Sequence, residues 1–433
     1  MRKILIFASV AICLLFLAST ASASWWNVNW KYRREITITN VNGTLTDYQI
    51  LVELNSSNFN FSHAQENGSD IRFVASDDET LFSHWIEVWN STNQSAKIWV
   101  NVSEVAEGTK IFMYYGNENA SDASDVNATF IRVIDGVVGA WYFDEGSGTI
   151  AHDTSGEGND GTLYDADSTN NDGNTPPQWI DGKFGKALEF DGVDDYVEVP
   201  HISLDTGFTI LFWIKTTETR DFKYAIANAG AQPFADGVKG WRFSLGEEGV
   251  SSWFDLAENE TIYSRINGGS INDGIWHFLA LWWNGSIQRI YIDAIKKDEA
   301  TFSGDISNTL PITIGCPANY LGFFNGTTDH ILIYNKTLSG EEISDLYNNY
   351  GYTTPNYPNK VLVRKYTEPG PVAIVGEEVE GIFAVIANFL TIEKEIGANY
   401  ILWKWSCANP DALVDVFVDG SEVLSAVSAV SGE

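Results

Sequence analysis

The sequence predicts an all-β protein built from two consecutive antiparallel β-sandwiches and a short, incomplete third β segment. Two observations carry this prediction. From Trp30 onwards, apolar and β-branched residues alternate, or run for about four to eight positions, in segment after segment. Turn signals such as Asn-Gly and Asp-Asp recur about every ten residues, and only one amphipathic helix interrupts them, which is typical of sandwiches.

The chain opens with a segment typical of a secretory signal. Basic residues at positions 2 and 3 precede an apolar run from Ile4 to Leu17, and Ala21 and Ala23 precede the expected cleavage site. This run is shorter than the roughly 20 residues that span a membrane. The sequence contains no longer apolar run after it. We therefore expect residues 1–23 to be a signal peptide. The mature protein should be secreted, extracellular or associated with a cell surface, without a transmembrane segment.

The two sandwiches are predicted over residues 24–130 and 131–352. The first contains the strand-like segments REITITN, YQILVEL, DIRFVAS, AKIWVNV and KIFMYYGN. The second contains KALEFDG, YVEVPH, FTILFWIKT, GWRFSL, WHFLALWW, RIYIDA and HILIYN. One helix is expected in LSGEEISDLYNNYG, because Ser339 and Glu342 have the spacing of a capping box.

The remaining residues read as a linker and a further β segment. Residues 353–371 begin with the turn-rich TTPNYPNK, and Pro369 and Pro371 favour an extended chain. Beyond them, NYILWKWSC and DVFVDGSEV read as strands joined by the turn ANPDA. We expect residues 372–433 to form a partial immunoglobulin-like β segment.

The net charge and the glycosylation sequons limit the classes of partner that this protein is expected to have. The net charge of −32, from 58 acidic and 26 basic side chains, opposes nucleic acid and anionic lipid as partners and suits calcium, cationic partners or simple solubility. Thirteen of 34 asparagines lie in Asn-x-Ser/Thr sequons, where chance gives roughly five. These sequons predict a glycan-coated, exported protein modified at Asn42, Asn55, Asn60, Asn67, Asn90, Asn93, Asn101, Asn119, Asn127, Asn259, Asn284, Asn325 and Asn335.

The stretch ALEFDGVDDYVEVP places Glu189, Asp191, Asp194 and Asp195 in an otherwise apolar strand. Three interpretations stay open from the residues alone. Glu189 and Asp191 on one face would suit a retaining glycosidase, which needs two carboxyls about 5 to 5.5 Å apart, although Gly192 breaks the strand. A calcium site is the second interpretation, and ordinary turn formation by Asp and Gly is the third.

A calcium site requires several acidic loops to meet, since the ion takes about 6 to 8 oxygen ligands. The predicted ligands are Asp153 in AHDTSGEGNDG, Asp191 in FDGVDD and Asp329 in GTTDHI. The sequence contains no motif of the other common metal, catalytic or nucleotide-binding sites. The six histidines lack zinc spacing, and no G-x-S-x-G, Walker or dinucleotide glycine pattern occurs.

Five ordered motifs span residues 137–350: GAWYFDEGSGTIAHDTSGEGNDGTL, GKFGKALEFDGVDDYVEVP, FTILFWIKT, DGIWHFLALWWNGSIQRIYIDA and FNGTTDHILIYNKTLSGEEISDLY. Together they resemble the laminin-G-like family, whose fold is the concanavalin A-like jelly roll. The resemblance implies a binding module, often for glycans or surface proteins, and several members carry calcium at the rim of the sandwich. It also counts against a glycosidase, because Asp191, Asp194 and Asp195 fall in a family block that forms a structural or calcium-binding turn.

The first domain also resembles a known family. WWNVNWKYRREITITN, LTDYQILVEL, NGSDIRF, HWIEVW and KIFMYYGN, from Trp25 to Phe130, resemble DUF2341. That family has no assigned activity and occurs in exported surface proteins of archaea and bacteria, commonly beside laminin-G-like domains. The second domain departs from its family at His330, where an acid is usual.

From these observations we expect a secreted or cell-surface binding protein that is not an enzyme. Its second domain would bind a glycan or a surface protein, with calcium at the rim. Trp179, Trp241 and Trp253 are predicted to lie on loops, where their amphipathic rings could stack on sugars. The alternative is a glycosylated structural component of a cell envelope or filament, and the third candidate is a glycoside hydrolase of the same fold.

Overall fold

The computed structural model describes residues 25–166, 175–230, 239–246, 251–319 and 321–381, and the backbone of four further strands up to residue 428. The first sandwich contains β1 Tyr32–Thr39, β2 Leu45–Asn55, β3 Arg72–Ala75, β4 Leu81–Phe82, β5 His84–Asn90, β6 Ser95–Val105, β7 Thr109–Tyr115 and β27 Val372–Glu380, with a 3₁₀ turn at Phe61–His63 and helix α1 at Val126–Thr129. Three further strands are β8 Arg132–Asp135, β25 Tyr350–Tyr352 and β26 Lys360–Arg364.

The second sandwich contains β9 Val137–Trp141, β10 Ile150–Ala151, β11 Gly161–Asp165, β12 Gln178–Asp181, β13 Lys186–Asp191, β14 Asp195–Val199, β15 Phe208–Lys215, β16 Lys223–Ala227, β17 Gly240–Gly246, β18 Ser251–Ala257, β19 Tyr263–Asn267, β20 Trp276–Trp283, β21 Ile287–Ile292, β22 Ile295–Thr301, β23 Ile312–Ile314 and β24 Asn325–Tyr334, followed by helix α2 Gly340–Asn348. Beyond it lie β28 Phe389–Ile396, β29 Ile401–Cys407, β30 Leu413–Val418 and β31 Ser421–Ser428. The predicted all-β class is confirmed.

The first sandwich packs the sheet β27-β1-β7-β3-β4 against the sheet β2-β6-β5. Alternate residues of each strand face the space between the sheets. Ile36 and Ile38 of β1 meet Ile50 and Val52 of β2 in this core. The alternation that predicted strands in the sequence thus also selects the buried face.

β27 comes from the far end of the chain and pairs antiparallel along β1, with Ile36 opposite Val375. Its Glu378 accepts a hydrogen bond from the Tyr115 hydroxyl at 2.6 Å and lies 2.9 Å from His63 Nδ1. Arg34 donates to the Gly376 carbonyl at 2.7 Å. Residues 372–380, predicted to start the immunoglobulin-like segment, therefore complete the first sandwich instead.

The second sandwich packs two large sheets around one apolar core. Their strand orders are β10-β11-β14-β23-β16-β17-β18-β19 and β12-β13-β24-β15-β20-β21-β22, and β9 pairs with β24. Helix α2 covers the outer side of the second sheet with Ile343 and Leu346. Its predicted capping box is confirmed, since Ser339 and Glu342 each bond the other's backbone N–H.

The chain enters and leaves the second sandwich at one place. Residues 360–363 of β26 pair with residues 132–135 of β8, so the entry and exit strands lie side by side. Residues 353–371 are therefore only in part a linker. Because β27 then returns to β1, the second sandwich is an insertion within the first, whereas the sequence predicted two consecutive units.

Beyond Glu380 the described backbone forms two hairpins, β28 with β29 and β30 with β31. An immunoglobulin-like arrangement for this part stays a prediction. The expected signal peptide, residues 1–23, lies outside the described residues. No helix of the described part is long and apolar enough to cross a membrane.

Candidate functional site

The acidic turn, residues 191–195, joins β13 to β14 in the second sandwich. Gly192 has φ +80°, and a Cβ there would lie 2.7 Å from that of Asn325, so only glycine fits. Within the turn, Asp191 Oδ1 accepts from Val193 N at 2.7 Å, and Asp195 Oδ2 accepts from Asp191 N at 3.0 Å. The turn chemistry predicted for these aspartates is thus present, and it leaves other carboxylate oxygens uncommitted.

Asp195 is the unusual member of the turn. Its side chain is buried, and its Oδ1 has no hydrogen-bond partner. Burial raises the pKa of this carboxyl to about 7, and the nearby negative charges of Asp191, Asp194 and Asp165 contribute. A buried carboxylate in this setting is costly unless a cation or a proton joins it.

Asp191, Asp194 and Asp195 form the only group of three or more potential metal-ligating side chains found within the described residues. One oxygen of each lies within 4.8 Å of the others. Arg220 lies against the turn, but Glu218 binds its guanidinium at 2.6 Å. The positive charge of Arg220 is therefore largely offset, and the turn has a net negative charge.

The other two predicted calcium ligands lie elsewhere and are used differently. Asp153 accepts hydrogen bonds from the backbone N–H groups of Ala140, Ser155 and Asn159. Asp329 Oδ2 accepts from the N–H groups of residues 183 and 184 at 2.8 and 3.0 Å. The predicted meeting of Asp153, Asp191 and Asp329 is wrong, because within the described residues Asp191 groups with Asp194 and Asp195 instead.

Asp194 and Asp195 join Asp191 in their place. Both lie in the acidic stretch ALEFDGVDDYVEVP, in which Asp191 alone was predicted as a ligand. Their signal was local, since five consecutive residues hold all three carboxylates.

The three tryptophans predicted on loops lie in strands. Trp241 in β17 is wholly buried in the core, and Trp253 in β18 is 8% exposed. Neither ring is accessible to a ligand. The loop positions predicted for these two residues are wrong, because both lie in strands. Trp179 in β12 is partly exposed, and its Nε1 donates to the Gly148 carbonyl at 2.9 Å.

A buried charge network lies on the outer side of β17, β18 and β19. Asp255 accepts from Arg242 Nε at 2.9 Å and from Arg265 Nε at 2.7 Å, and the side chains of Arg242 and Asp255 are wholly buried. Arg265 stacks over Trp253, with its guanidinium 4.2 Å from the ring centroid. The alternation of the three strands was visible in the sequence, but the pairing of Asp255 with two arginines on the neighbouring strands was not.

Another buried polar residue is His330, at the position where the sequence departs from its family. The ring packs between Phe184 and Tyr142, at centroid distances of 4.8 and 4.6 Å. Its Nε2 has no hydrogen-bond partner. Burial lowers the pKa of His330 to about 3, and the charge of Arg364 adds to this. Burial also raises the pKa of the adjacent Asp329.

The sequons are accessible. Ten of the thirteen asparagines are exposed and the other three, Asn90, Asn101 and Asn259, are partly exposed. Asn325 alone among them touches the acidic turn, because its side-chain amide donates to the Asp191 carbonyl at 2.6 Å.

The fold defines an antiparallel protein of two sandwiches, the second of the concanavalin A-like class. The comparison with family models agrees with this description. Residues 67–151 match the domain of unknown function DUF2341, and residues 191–344 match the concanavalin A-like lectin/glucanases superfamily. The order of the two predicted families is confirmed. No curated protein matches the chain.

Several solved structures are similar to part of the chain. The binding domain of paraclostridial mosquitocidal protein 1 is 18% identical over 49% of this chain and 52% of its own, with a TM-score of 0.39. Domain 4 of AbnA, an extracellular arabinanase from Geobacillus stearothermophilus solved with arabinotriose, is 20% identical over 49% of this chain and 98% of its own, with a TM-score of 0.39. A structure of botulinum neurotoxin type C, whose cell entry is described as dependent upon interaction with two ganglioside molecules, is 18% identical over 49% of this chain and 51% of its own. Its TM-score is also 0.39. The chain spans about half the length of the two toxin chains.

Proposed function

We propose that this protein is an exported, cell-surface glycan-binding protein whose second sandwich holds a calcium ion at the acidic turn. The observation that carries the metal part is Asp195, a buried carboxylate with an unpartnered oxygen beside two further carboxylates. Glycan binding is supported by the match of residues 191–344 to a superfamily of lectins and glucanases.

Calcium fits the donor set of the turn. The available groups are carboxylate oxygens, which hard divalent cations prefer, and no thiolate or imidazole lies in the group. Bound there, the ion would favour the ionised form of Asp195, whose pKa is raised by burial and by the neighbouring carboxylates, and would fix the rim of the sandwich. Asp191, the exposed member, would lie on the solvent side of the ion.

Trp179 is the one predicted sugar-stacking residue that is partly exposed, and the rest of its side chain packs against the core of the second sandwich. It lies on β12, opposite Leu188 of β13. A sugar ring lying on Trp179 would therefore rest on the strand pair that leads into the acidic turn. The exposed sequons support an extracellular location, since glycans at these positions would project into solvent.

A non-enzymatic role is supported by the geometry of the carboxylates. Glu189 and Asp191 are exposed on β13, whereas Asp194 is buried in the turn. The E-x-D-x-x-D spacing thus does not present its three acids on one accessible face. A glycosylated structural component remains the alternative, and it would need neither calcium nor a ligand.

The test is thermal melting of the mature chain, residues 24–433, in excess calcium and in chelator. Calcium at 100 times its dissociation constant should stabilise the fold by about 2.7 kcal/mol. Asp195→Asn should abolish the difference between the two melts. Asp205→Asn, at an exposed loop aspartate bonded only to Ser203, is the matched control and should retain it.

A glycan screen in calcium then tests the ligand. Saturable binding that is lost in chelator and in Asp195→Asn would support the proposal. Coincident melts of the wild-type chain would refute the calcium site. A calcium effect without any glycan binding would favour the structural component.

A further inference from the structure

A separate cavity lies where the first sandwich meets the chain that returns from the second. This junction pocket has a volume of about 360 Å³, and Tyr48, Gln49, Leu51, Trp99, Arg364, Tyr366 and residues 367–371 line it. Small-molecule sites favour domain interfaces and measure roughly 300–1,000 Å³. The location and the volume of the junction pocket therefore suit a small molecule with a single ring.

Arg364 distinguishes this pocket from the other cavities. Of the nine arginines in the described residues, seven have a carboxylate oxygen within 4.0 Å: Arg33, Arg34, Arg132, Arg220, Arg242, Arg265 and Arg289. Arg72 lacks one but donates to three backbone carbonyls. Arg364 has neither arrangement.

The guanidinium of Arg364 has spare donors. Its Nη1 donates to the Lys365 carbonyl at 3.0 Å, and its Nε is buried with no hydrogen-bond partner. The buried Nε cannot reach a ligand, but the Nη side of this partly exposed guanidinium can, and arginine forms charge-assisted hydrogen bonds to carboxylates. In a chain with a net charge of −32, an arginine without a carboxylate partner points to an anionic ligand.

Aromatic rings hold this guanidinium in place and also form walls of the pocket. The carbon at its centre lies 5.3 Å from the Trp99 ring centroid, 4.6 Å from that of Tyr350 and 5.6 Å from that of Tyr366. Tyr350 and Tyr366 stack on each other at 4.9 Å. Such contacts fix the cation without using its hydrogen-bond donors. Tyr366 is partly exposed and lines the pocket as well, where an aromatic wall suits the face of a sugar ring, whereas Trp99 is only 5% exposed and serves to hold the guanidinium.

Glu368 lies on the same pocket and accepts a hydrogen bond from the Tyr366 hydroxyl at 3.1 Å. A ligand that is only an anion would be repelled by this carboxylate. A ligand with hydroxyl groups can donate to it. The pocket thus offers a positive charge, an aromatic wall and an acceptor, which together fit a molecule with a carboxylate on a hydroxylated ring.

We propose that the junction pocket binds an acidic sugar of the hexuronic acid class. Its carboxylate pairs with Arg364, its ring lies against the partly exposed Tyr366, and a hydroxyl donates to Glu368. This proposal is independent of the calcium site, because the pocket is built from the first sandwich and the returning segment.

The experiment is a titration of the mature chain in chelator with D-glucuronate, its methyl ester and D-glucose, followed by ligand-observed NMR. Chelator removes any calcium-dependent site from the measurement. Glucuronate should bind saturably, while the ester and glucose should bind roughly tenfold more weakly or worse, because they lack the charge-assisted hydrogen bonds. Arg364→Gln should weaken glucuronate by a similar factor.

Arg289→Gln is the matched control, since Arg289 also stacks on a tryptophan, Trp282 at 4.4 Å, but is paired with Glu299 and lies outside the pocket. It should leave glucuronate binding unchanged. Absence of glucuronate binding, or equal binding of the ester, would overturn the proposal, and both are read on the wild-type chain even if Arg364→Gln fails to fold. Glucuronate binding that survives Arg364→Gln would place the sugar elsewhere and also overturn it.

Discussion

Acid should destabilise this protein through one buried ring, His330. The unfolded chain binds a proton at this imidazole below a pKa of about 6.5, whereas burial keeps the folded pKa at about 3. Because the folded pKa is the lower one, the stabilising contribution is complete above about pH 6.5 and is lost as the pH falls towards 3. Lowering the pH from about 7.5 to about 5 should therefore cost about 2 kcal/mol through this residue alone.

The assay compares the wild-type chain with His330→Phe, which keeps an aromatic ring between Phe184 and Tyr142 and removes the titrating nitrogen. Free energies of unfolding from urea titrations at the two pH values, in chelator, give the pH-dependent loss for each protein. Other titrating groups are common to both, and Asp329, whose Oδ1 lies 3.9 Å from His330 Nε2, is the group whose titration the substitution can change. The wild type should lose about 2 kcal/mol more than the variant, and equal losses would refute a buried neutral histidine. His201→Phe, at an exposed histidine, should match the wild type.

Two further predictions concern stability. Asp255→Asn leaves the wholly buried Arg242 without its carboxylate and should cost roughly 3–5 kcal/mol in urea unfolding, whereas Glu299→Gln, at an exposed partner of Arg289, should cost less than about 1 kcal/mol; similar losses would contradict the buried network. Truncation after residue 371 removes β27 and its Glu378 contacts and should destabilise the first sandwich by at least roughly 3 kcal/mol. Truncation after residue 381 keeps β27, so equal melting of the two truncated chains would show that β27 adds no stability.

Local spacing was enough to predict much of this fold. The capping box needs only Ser339 and Glu342 three positions apart, and the acidic turn needs only neighbours around Gly192. The alternation in GWRFSL also predicts which side chains of this strand are buried. Trp241 has the same parity as Phe243 and Leu245, which are core residues, so strand alternation places Trp241 in the core. The same alternation contradicts the predicted loop position of Trp241.

Other features depend on partners that are distant in the chain. Asp329 was predicted as a metal ligand, but its Oδ2 instead accepts from the backbone N–H groups of residues 183 and 184, which lie about 145 positions away. The junction pocket combines Trp99 with Arg364, and no periodicity links them. Local patterns report which face of an element is apolar, but they carry no information about which polar groups meet across elements.

The insertion of one sandwich into the other explains how such distant partners meet. Ile36 and Val375 pair although 339 positions separate them, and closing so long a loop in an unfolded chain is entropically unfavourable. The pairing of β8 with β26 shortens the effective loop. Once the second sandwich has folded, the chain leaves it beside the strand through which it entered. β27 can then reach β1 across a short segment, residues 365–371. The same return brings Arg364 to Trp99, so the junction pocket and the last strand of the first sandwich should form in one step, after the second sandwich has folded.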